Sequence, residues 1–245
     1  MWDWSTFFHY IFSPYLLMGA GISLAVSIGA MALGIVLGIV AALMRMSSRS
    51  WLRRPASIYV WLFRGTPVLV QLIIIYTGLP QIGITIGVTA SALLGLGVNE
   101  GAYLAEIMRA GVASVPKGQF EAARAIGMTW SKMMRVIVFP QAARIILPPL
   151  GNSFNGMMKT SSLASVISLE ELLRRTELLV QVKFKVLELF CVAALYYLIL
   201  TTLWGFVQQW LEARASRSVG SPSAGNRPRT TALSMDSATL SHDAS

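Results

Sequence analysis

The sequence predicts an all-α, polytopic membrane protein with five transmembrane helices. Only 13% of its 245 residues are charged and 55% are hydrophobic. A soluble domain usually has about 25% charged residues, so this composition favours a membrane protein. Two further observations agree with it: several apolar segments are long enough to cross a bilayer, and basic residues are concentrated between alternate segments.

Residues 1–14 are predicted to form an extracytoplasmic, interfacial N-terminus, because they are rich in aromatic residues that favour the headgroup region. The acidic Asp3 and the absence of a basic start argue against a secretory signal peptide. The first span, Leu16–Met44, contains no Asp, Glu, Lys or Arg. Gly34 and Gly38 lie four residues apart on this span, a spacing that permits the close approach of another helix.

The second and third predicted spans both contain features that are unusual at membrane depth. Pro67 lies within the second span, Ile58–Leu79, and we expect it to kink or interrupt the helix. The third span, Val88–Met108, contains Glu100 and Glu106. A charge inside a bilayer is costly unless it is paired or faces water, so both acids are functional candidates.

The last two predicted spans differ strongly from each other. The fourth, Ile145–Met158, contains two adjacent prolines, so we expect an interrupted helix of the kind that lines a transporter cavity. The fifth, Leu189–Leu211, carries no formal charge. Between them, Val166–Lys185 is amphipathic and is predicted to form a surface or gate helix. The transmembrane domain is therefore predicted at 15–212, with a disordered cytoplasmic tail at 213–245.

The distribution of basic residues predicts the orientation. The first loop, the segment after the third span and the tail together carry fourteen Lys and Arg, and the opposite side carries five. Positively charged loops stay in the cytoplasm. We therefore expect the N-terminus outside and the C-terminus in the cytoplasm.

The segment Val115–Leu150 is the one long basic stretch that is not expected to span the membrane. A short helix is predicted at about 119–130, with Glu121 in its first turn, where an acid complements the helix dipole. We expect Gly127 to leave room for a second surface, and Pro140 to stop the helix that follows. The residues by themselves are compatible with a docking helix or with an ordinary connector.

The order of residues in this segment resembles the signature cytoplasmic loop of ABC importer permeases. The matching residues are Glu121, Ala122, Ala123, Gly127, Ile137 and Pro140. Phe139 stands where the general pattern has Leu. Four more blocks resemble the polar amino acid branch of these permeases: RGTPVLVQ at 64–71, GAYLAE at 101–106, SVPKGQ at 114–119 and SLASVI at 162–167.

This resemblance implies a type I ABC importer permease fold with a cytoplasmic coupling helix, in a bacterial cell inner membrane. The six matching residues would couple the permease to separate ABC ATPase subunits, which bind ATP and Mg. The other implied partners are a second permease copy or paralogue, an extracytoplasmic solute-binding protein and membrane lipid, with no nucleic acid. The sequence has no G-x-x-x-x-G-K-[ST] phosphate loop, so it is predicted to be a transport subunit and not an enzyme. Gly127→Asp or Glu121→Lys is expected to abolish uptake while leaving the protein in the membrane.

Polar residues at membrane depth are the candidates for a substrate pathway. They are Arg64, Glu100, Glu106, Asn152, Asn155, Lys159 and Ser162. Arg64 either pairs with Glu100 or Glu106 or meets a substrate carboxylate, and Glu106 is placed to pair with Arg109 one helical turn later. The Asn and Ser residues either face a cavity or form hydrogen bonds between helices.

No catalytic residue, metal site or cofactor is predicted for this chain. Its two histidines, His9 and His242, and its single cysteine, Cys191, lie far apart in the sequence. Two other functions remain open. An ion-coupled secondary transporter would use acidic or Asn-rich midplane sites and usually shows an internal repeat, which the sequence lacks. A structural membrane protein would use the basic segment only as a scaffold. Neighbouring genes for an ATPase and a secreted binding protein would favour the importer.

Overall fold

The computed structural model describes residues 2–217, and the regular structure in that range is helical. The helices are, in chain order, α1 Trp4–Ile11, α2 Pro14–Met46, α3 Ser50–Gly65, α4 Val68–Ile73, α5 Val88–Ala113, α6 Lys117–Ala125, α7 Trp130–Met133, α8 Phe139–Thr160, α9 Leu172–Lys183 and α10 Val186–Arg217. Short π-helical turns follow α4 and α7, at Ile74–Gly78 and Met134–Val138. Short 3-10 turns occupy Leu79–Ile82 and Ser161–Ile167.

Three helical stretches in the described chain are long and apolar enough to cross a membrane: Pro14–Met46, Trp130–Ile167 and Val186–Ala215. A fourth span is present if the bent pair Ser50–Gly65 and Val68–Ile82 counts as one. The predicted number of five spans is therefore not confirmed. The missing span is α5, which has 26 residues but contains polar and charged side chains that reduce its hydropathy.

Helices α2 and α5 form the central seam of the fold. A Cβ added at Gly38 would lie 2.8 Å from Leu104 Cβ, and one added at Gly34 would lie 3.1 Å from Glu100 Cβ. The predicted close approach at these two glycines is confirmed, and it follows from the absence of side chains there. Beside the seam, a core of buried side chains includes Leu72 and Leu96.

The chain bends by 105° between α3 and α4, which confirms the predicted break at Pro67. The bend leaves backbone carbonyl groups without helical partners, and polar side chains bind them. The side-chain nitrogen Nε2 of Gln71 donates to the carbonyl oxygens of Phe63, at 3.0 Å, and Thr66, at 3.1 Å. Asn99 on α5 also donates to the Phe63 carbonyl, at 2.9 Å. The break is thus held in place by α5.

Helix α8 is continuous through Pro148 and Pro149, so the interruption predicted within Ile145–Met158 is wrong. The neighbouring helix α10 stabilises this region, because Trp204 Nε1 donates to the carbonyl oxygen of Gly151 at 2.9 Å. Pro140 does not stop a helix either. It lies in the first turn of α8, directly after the π-helical turn that connects α7 to α8.

The ends of the transmembrane domain also differ from the predictions. Helix α10 continues to Arg217, so the part of the predicted tail at 213–217 is helical. The remainder of that tail, including His242, lies outside the described residues. At the other terminus, residues 4–11 form a helix that is fastened to α10, because Tyr196 donates its hydroxyl to the carbonyl oxygen of Ile11 at 2.7 Å.

The predicted amphipathic helix at Val166–Lys185 is divided into a 3-10 turn and α9. The first turn of α9 is buried, with Leu172 and Thr176 fully enclosed. A Cβ on Gly19 of α2 would lie 2.9 Å from Leu172 Cα, so the two backbones are in close contact. Helix α9 is therefore a packed part of the bundle at its start and not a simple surface helix.

Candidate functional site

Helix α6 covers Lys117–Ala125 and is shorter than the helix predicted at 119–130. Two backbone hydrogen bonds end it: Gly127 N–H donates to Arg124 O at 2.9 Å, and Met128 N–H donates to Ala123 O at 3.0 Å. This pair of bonds is a Schellman motif, which needs a residue with positive φ at the position that Gly127 occupies. Gly127 has a φ of 73°.

The structure gives Gly127 a backbone role, and the room for a second surface that was expected of it stays a prediction. No heavy atom of the described chain lies within 4 Å of a Cβ added at this glycine, so the space beside it is open. A side chain is disfavoured because of the left-handed backbone. Gly127 fixes the direction in which the chain leaves α6.

A small core of its own supports α6. Ala123 is buried there with Val115, Met133, Val138 and Ala142. The opposite face of α6 is open, with Glu121 and Ala122 exposed, and just beyond its end Ile126 is 76% exposed. The residues predicted to couple to a partner thus divide into two groups. Ala123 and Ile137 pack inside, whereas Glu121, Ala122, Gly127 and Pro140 are exposed. The arrangement is a rigid helix with a free face.

A second feature is a cavity of about 340 Å³ between α5 and α8. Its lining residues are Val68, Leu96, Asn99, Glu100, Tyr103, Ser153, Gly156, Met157 and Thr160. The Oε1 atom of Glu100 is buried and has no hydrogen-bond partner in the described part of the chain. A buried carboxylate oxygen without a partner is unfavourable, so a donor from a ligand would be stabilised there.

Four of the polar lining residues, Asn99, Tyr103, Ser153 and Thr160, were missed in the sequence. Asn99 directly precedes Glu100 in an apolar segment, and this neighbourhood was the available signal. Ser153 and Thr160 gave no signal of a cavity in the sequence, because Ser and Thr are common in membrane helices without facing a cavity.

Glu106 lies at the centre of an ion-pair cluster. Arg45 from α2 and Arg109 from α5 both donate to its carboxylate. Arg64 from α3 approaches it at 3.9 Å, and its guanidinium also lies 5.2 Å from the centre of the Tyr103 ring. Arg64 therefore pairs with Glu106 and not with Glu100. The ion pairs join three helices, and Arg64 borders the cavity only through Tyr103.

The other predicted pathway residues lie outside the lining of this cavity. Asn152 accepts a hydrogen bond from Gln208 Nε2 at 3.2 Å and so faces α10. The Oδ1 atom of Asn155 is buried without a hydrogen-bond partner in residues 2–217. Ser162 donates to the carbonyl oxygen of Lys159 at 2.7 Å, within the turn that ends α8, and the Lys159 residue is exposed.

Comparisons with known proteins agree on one class. Residues 34–217 match the family described as binding-protein-dependent transport system inner membrane component. The chain is 39% identical over 206 residues to the probable amino-acid ABC transporter permease protein YckA of Bacillus subtilis, covering 84% of this chain and 91% of that one. It is 38% identical over 225 residues to the arginine transport system permease protein ArgU of Corynebacterium glutamicum, covering 86% and 71%.

A solved structure shows the same fold. The crystal structure of an amino acid ABC transporter with histidines contains a chain that is 37% identical and superposes with a TM-score of 0.82, covering 87% of this chain and 99% of that one. A chain of the methionine ABC transporter MetNI superposes with a TM-score of 0.71 at 21% identity, which is evidence for the fold alone.

Proposed function

Because the chain belongs to the family of binding-protein-dependent transport system inner membrane components, we propose that it is the permease subunit of an ATP-driven ABC importer for polar amino acids or related amino acid derivatives. Membership of this family makes it a multi-pass membrane transport protein and not an enzyme. The substrate class is supported by relatives that are named as amino-acid, arginine and cystine transport permeases.

The single structural observation that carries this proposal is the free face of α6. A helix that is supported by its own core, capped by Gly127 and open on the side of Glu121 is built to dock against another protein. ABC ATPase subunits are the proposed partner. ATP and Mg bind to them, and closure of the ATPases moves α6 and with it the helices that α6 adjoins.

The proposed assembly also contains a second permease copy or paralogue and an extracytoplasmic solute-binding protein. We place α6 on the cytoplasmic side, in agreement with the basic residues around it. The N-terminus then lies outside. The ion pair between Asp3 and Lys185, at 3.2 Å, supports this arrangement, because it holds the N-terminus beside the start of α10, on the side opposite the predicted cytoplasmic tail.

The cavity that Glu100 lines is the proposed substrate pathway. An amino acid always carries an ammonium group, and the free Oε1 of Glu100 is a matching acceptor. Glu100→Gln keeps the shape but removes the charge, and we expect it to lower uptake about tenfold. Asn152→Ala is the control, since Asn152 faces α10. Equal uptake by the Glu100 variant and the wild type would remove Glu100 from the pathway.

Reconstitution tests the proposed function. The permease is incorporated into liposomes together with its ATPase partner, and uptake of a panel of labelled amino acids is measured with ATP inside and binding protein outside. We expect uptake to require both components and to persist when ionophores remove the proton and sodium gradients. Uptake that follows an ion gradient without ATP would instead identify an ion-coupled secondary transporter, the alternative that the sequence left open.

A further inference from the structure

Two adjacent cavities lie where the end of α2 meets the segment that carries α6. The smaller one, of about 360 Å³, is lined by Arg45, Arg109 and Lys117 together with aromatic residues. The larger one, of about 760 Å³, lies between the α2–α3 turn and α7, and Arg124 lines it. Met46 and Trp130 line both cavities, so the two are neighbours, and we call them together the basic groove.

The charge of the basic groove is positive. Four cations line it, and no acidic side chain is among the lining residues in the described part of the chain. Glu106 is not in the lining but contacts two of these cations. It binds Arg45 and Arg109 and is also approached by Arg64, so one carboxylate faces three guanidinium groups. The remaining positive charge attracts an anion.

Besides the four cations, the lining of the basic groove contains three serines, Ser47, Ser48 and Ser131, and several apolar side chains. Leu43, Leu52 and Met134 line the larger cavity, and Val112 and Val115 line the smaller one. Trp130 is 54% exposed between them. Tryptophan favours the boundary between headgroups and acyl chains, where its ring is apolar and its N–H is polar. A small soluble anion would use only the polar part of this lining, whereas a lipid matches both the polar and the apolar parts.

We propose that the basic groove binds the headgroup of an anionic phospholipid, with its phosphate near Arg109 and Lys117 and its glycerol region against Trp130. The proposal depends on the proposed function only in that it places this end of the molecule at the cytoplasmic leaflet. Basic pockets between helices on that side are suited to anionic lipid headgroups. A lipid bound here lies directly beside α6 and stabilises the position of the docking helix.

Native mass spectrometry of the assembled permease–ATPase complex tests this proposal. The complex is extracted from nanodiscs that contain equal amounts of phosphatidylglycerol and phosphatidylcholine, and the two retained lipids are counted. We expect the wild type to retain phosphatidylglycerol preferentially. The double substitution of Arg109→Gln and Lys117→Gln should reduce this preference on the order of tenfold, because each cation near the surface contributes to binding of an anionic headgroup.

A matched pair separates a defined site from general surface charge. Arg53→Gln with Arg54→Gln removes the same charge from exposed positions that do not line the groove, and we expect it to retain the preference. Arg109→Lys with Lys117→Arg keeps the charge and should also retain the preference, which shows that the charge at these two positions is what matters. Equal losses from both neutral pairs would overturn the proposal. So would displacement of the lipid by millimolar inorganic phosphate, which would identify a free anion as the ligand. Lipid retention does not depend on uptake, so failure here leaves the proposed function intact.

Discussion

Two helix termini in this molecule, the start of α9 and the end of α6, are stabilised in opposite ways: one by side chains from distant parts of the chain, the other by local backbone bonds. At the start of α9, Glu171 is fully buried and its carboxylate accepts four hydrogen bonds: from Ser23 at 2.9 Å, from Tyr197 at 3.0 Å, and from the backbone N–H groups of Leu173 and Arg174 at 2.9 Å each. At the end of α6, Gly127 forms only backbone bonds within its own segment. We call the start of α9 around Glu171 the closed end, and the end of α6 around Gly127 the open end.

The difference separates the residues that stabilise the fold from those that we propose for coupling. The acceptor at the closed end joins α2, α9 and α10, so its loss affects three helices at once. Burial raises the pKa of the Glu171 carboxyl, and the four donors oppose that shift. The open end has a separate small core and an exposed face. Changes at the closed end should therefore reduce the amount of folded permease, whereas changes at the open end should reduce uptake and spare folding.

Glu171→Ala is expected to have the largest effect on stability. It leaves buried donors without an acceptor, which costs about 3 kcal/mol. Thermal unfolding of the detergent-purified permease measures this loss. Glu170→Ala is the control, because Glu170 is exposed and its ion pair with Arg175, at 3.7 Å, is worth about 1 kcal/mol at most. Similar melting temperatures for the two variants would contradict the claim that the closed end stabilises the fold.

Gly127→Ala should have a smaller and more local effect. A side chain in the left-handed conformation costs about 1 kcal/mol, so the end of α6 should open more often. Hydrogen exchange at 117–128 should become faster while the α2–α5 seam is unchanged. Gly118→Ala is the matched control, since Gly118 is equally open but lies within α6, where alanine is favourable. Slower exchange in the Gly127 variant would show that the cap does not need glycine.

Glu121→Lys should change stability by less than about 0.5 kcal/mol, because Glu121 is exposed. It should nevertheless abolish uptake and the stimulation of the ATPase by loaded binding protein, since it reverses the charge on the docking face. Gln119→Lys adds a positive charge to the same helix and shows whether charge alone is responsible. Normal transport by the Glu121 variant would place the docking surface elsewhere.

The two ends also differ in how much of them the sequence reveals. Local signals were sufficient where the cause is local: Pro67 predicted the bend, and the spacing of Gly34 and Gly38 predicted a close helix contact, without showing that α5 makes it. The register of Glu121 and Gly127 pointed to the segment that we propose as the docking segment. It did not show that Gly127 acts through its backbone conformation, because a glycine in a pattern looks the same in either role.

Features that depend on distant partners were not predictable. Glu171 looks like an ordinary acid of the predicted amphipathic helix, and its role depends partly on Ser23, which lies 148 residues away in the sequence. The packing of α8 against α10 likewise joins distant residues: Trp204 and Gln208 of α10 donate hydrogen bonds to carbonyl groups in α8. Helix α5 was predicted as a helix, but the sequence did not show that its Asn99 and Tyr103 line a cavity, because that depends on the packing of distant helices.

The smallest predicted effect tests how far the closed end extends towards the N-terminus. Asp3 caps α1 by accepting hydrogen bonds from Thr6, and it pairs with Lys185. The bonds from Thr6 are the main reason that the pKa of Asp3 is lowered from 3.8 to about 2. Because the pKa is lower in the folded state, the ionised cap stabilises α1 fully above pH 3.8 and loses this contribution as the pH falls towards 2.

Hydrogen exchange at the Thr6 amide should therefore show constant protection, relative to an Asp3→Asn variant, from pH 7 to pH 5 and a decline only below about pH 4. Asparagine keeps a capping oxygen but does not titrate in this range, so the ratio of the two rates isolates the charge. If the ratio already changes near pH 6, the N-terminus is held by another group, and the closed end stops at α9.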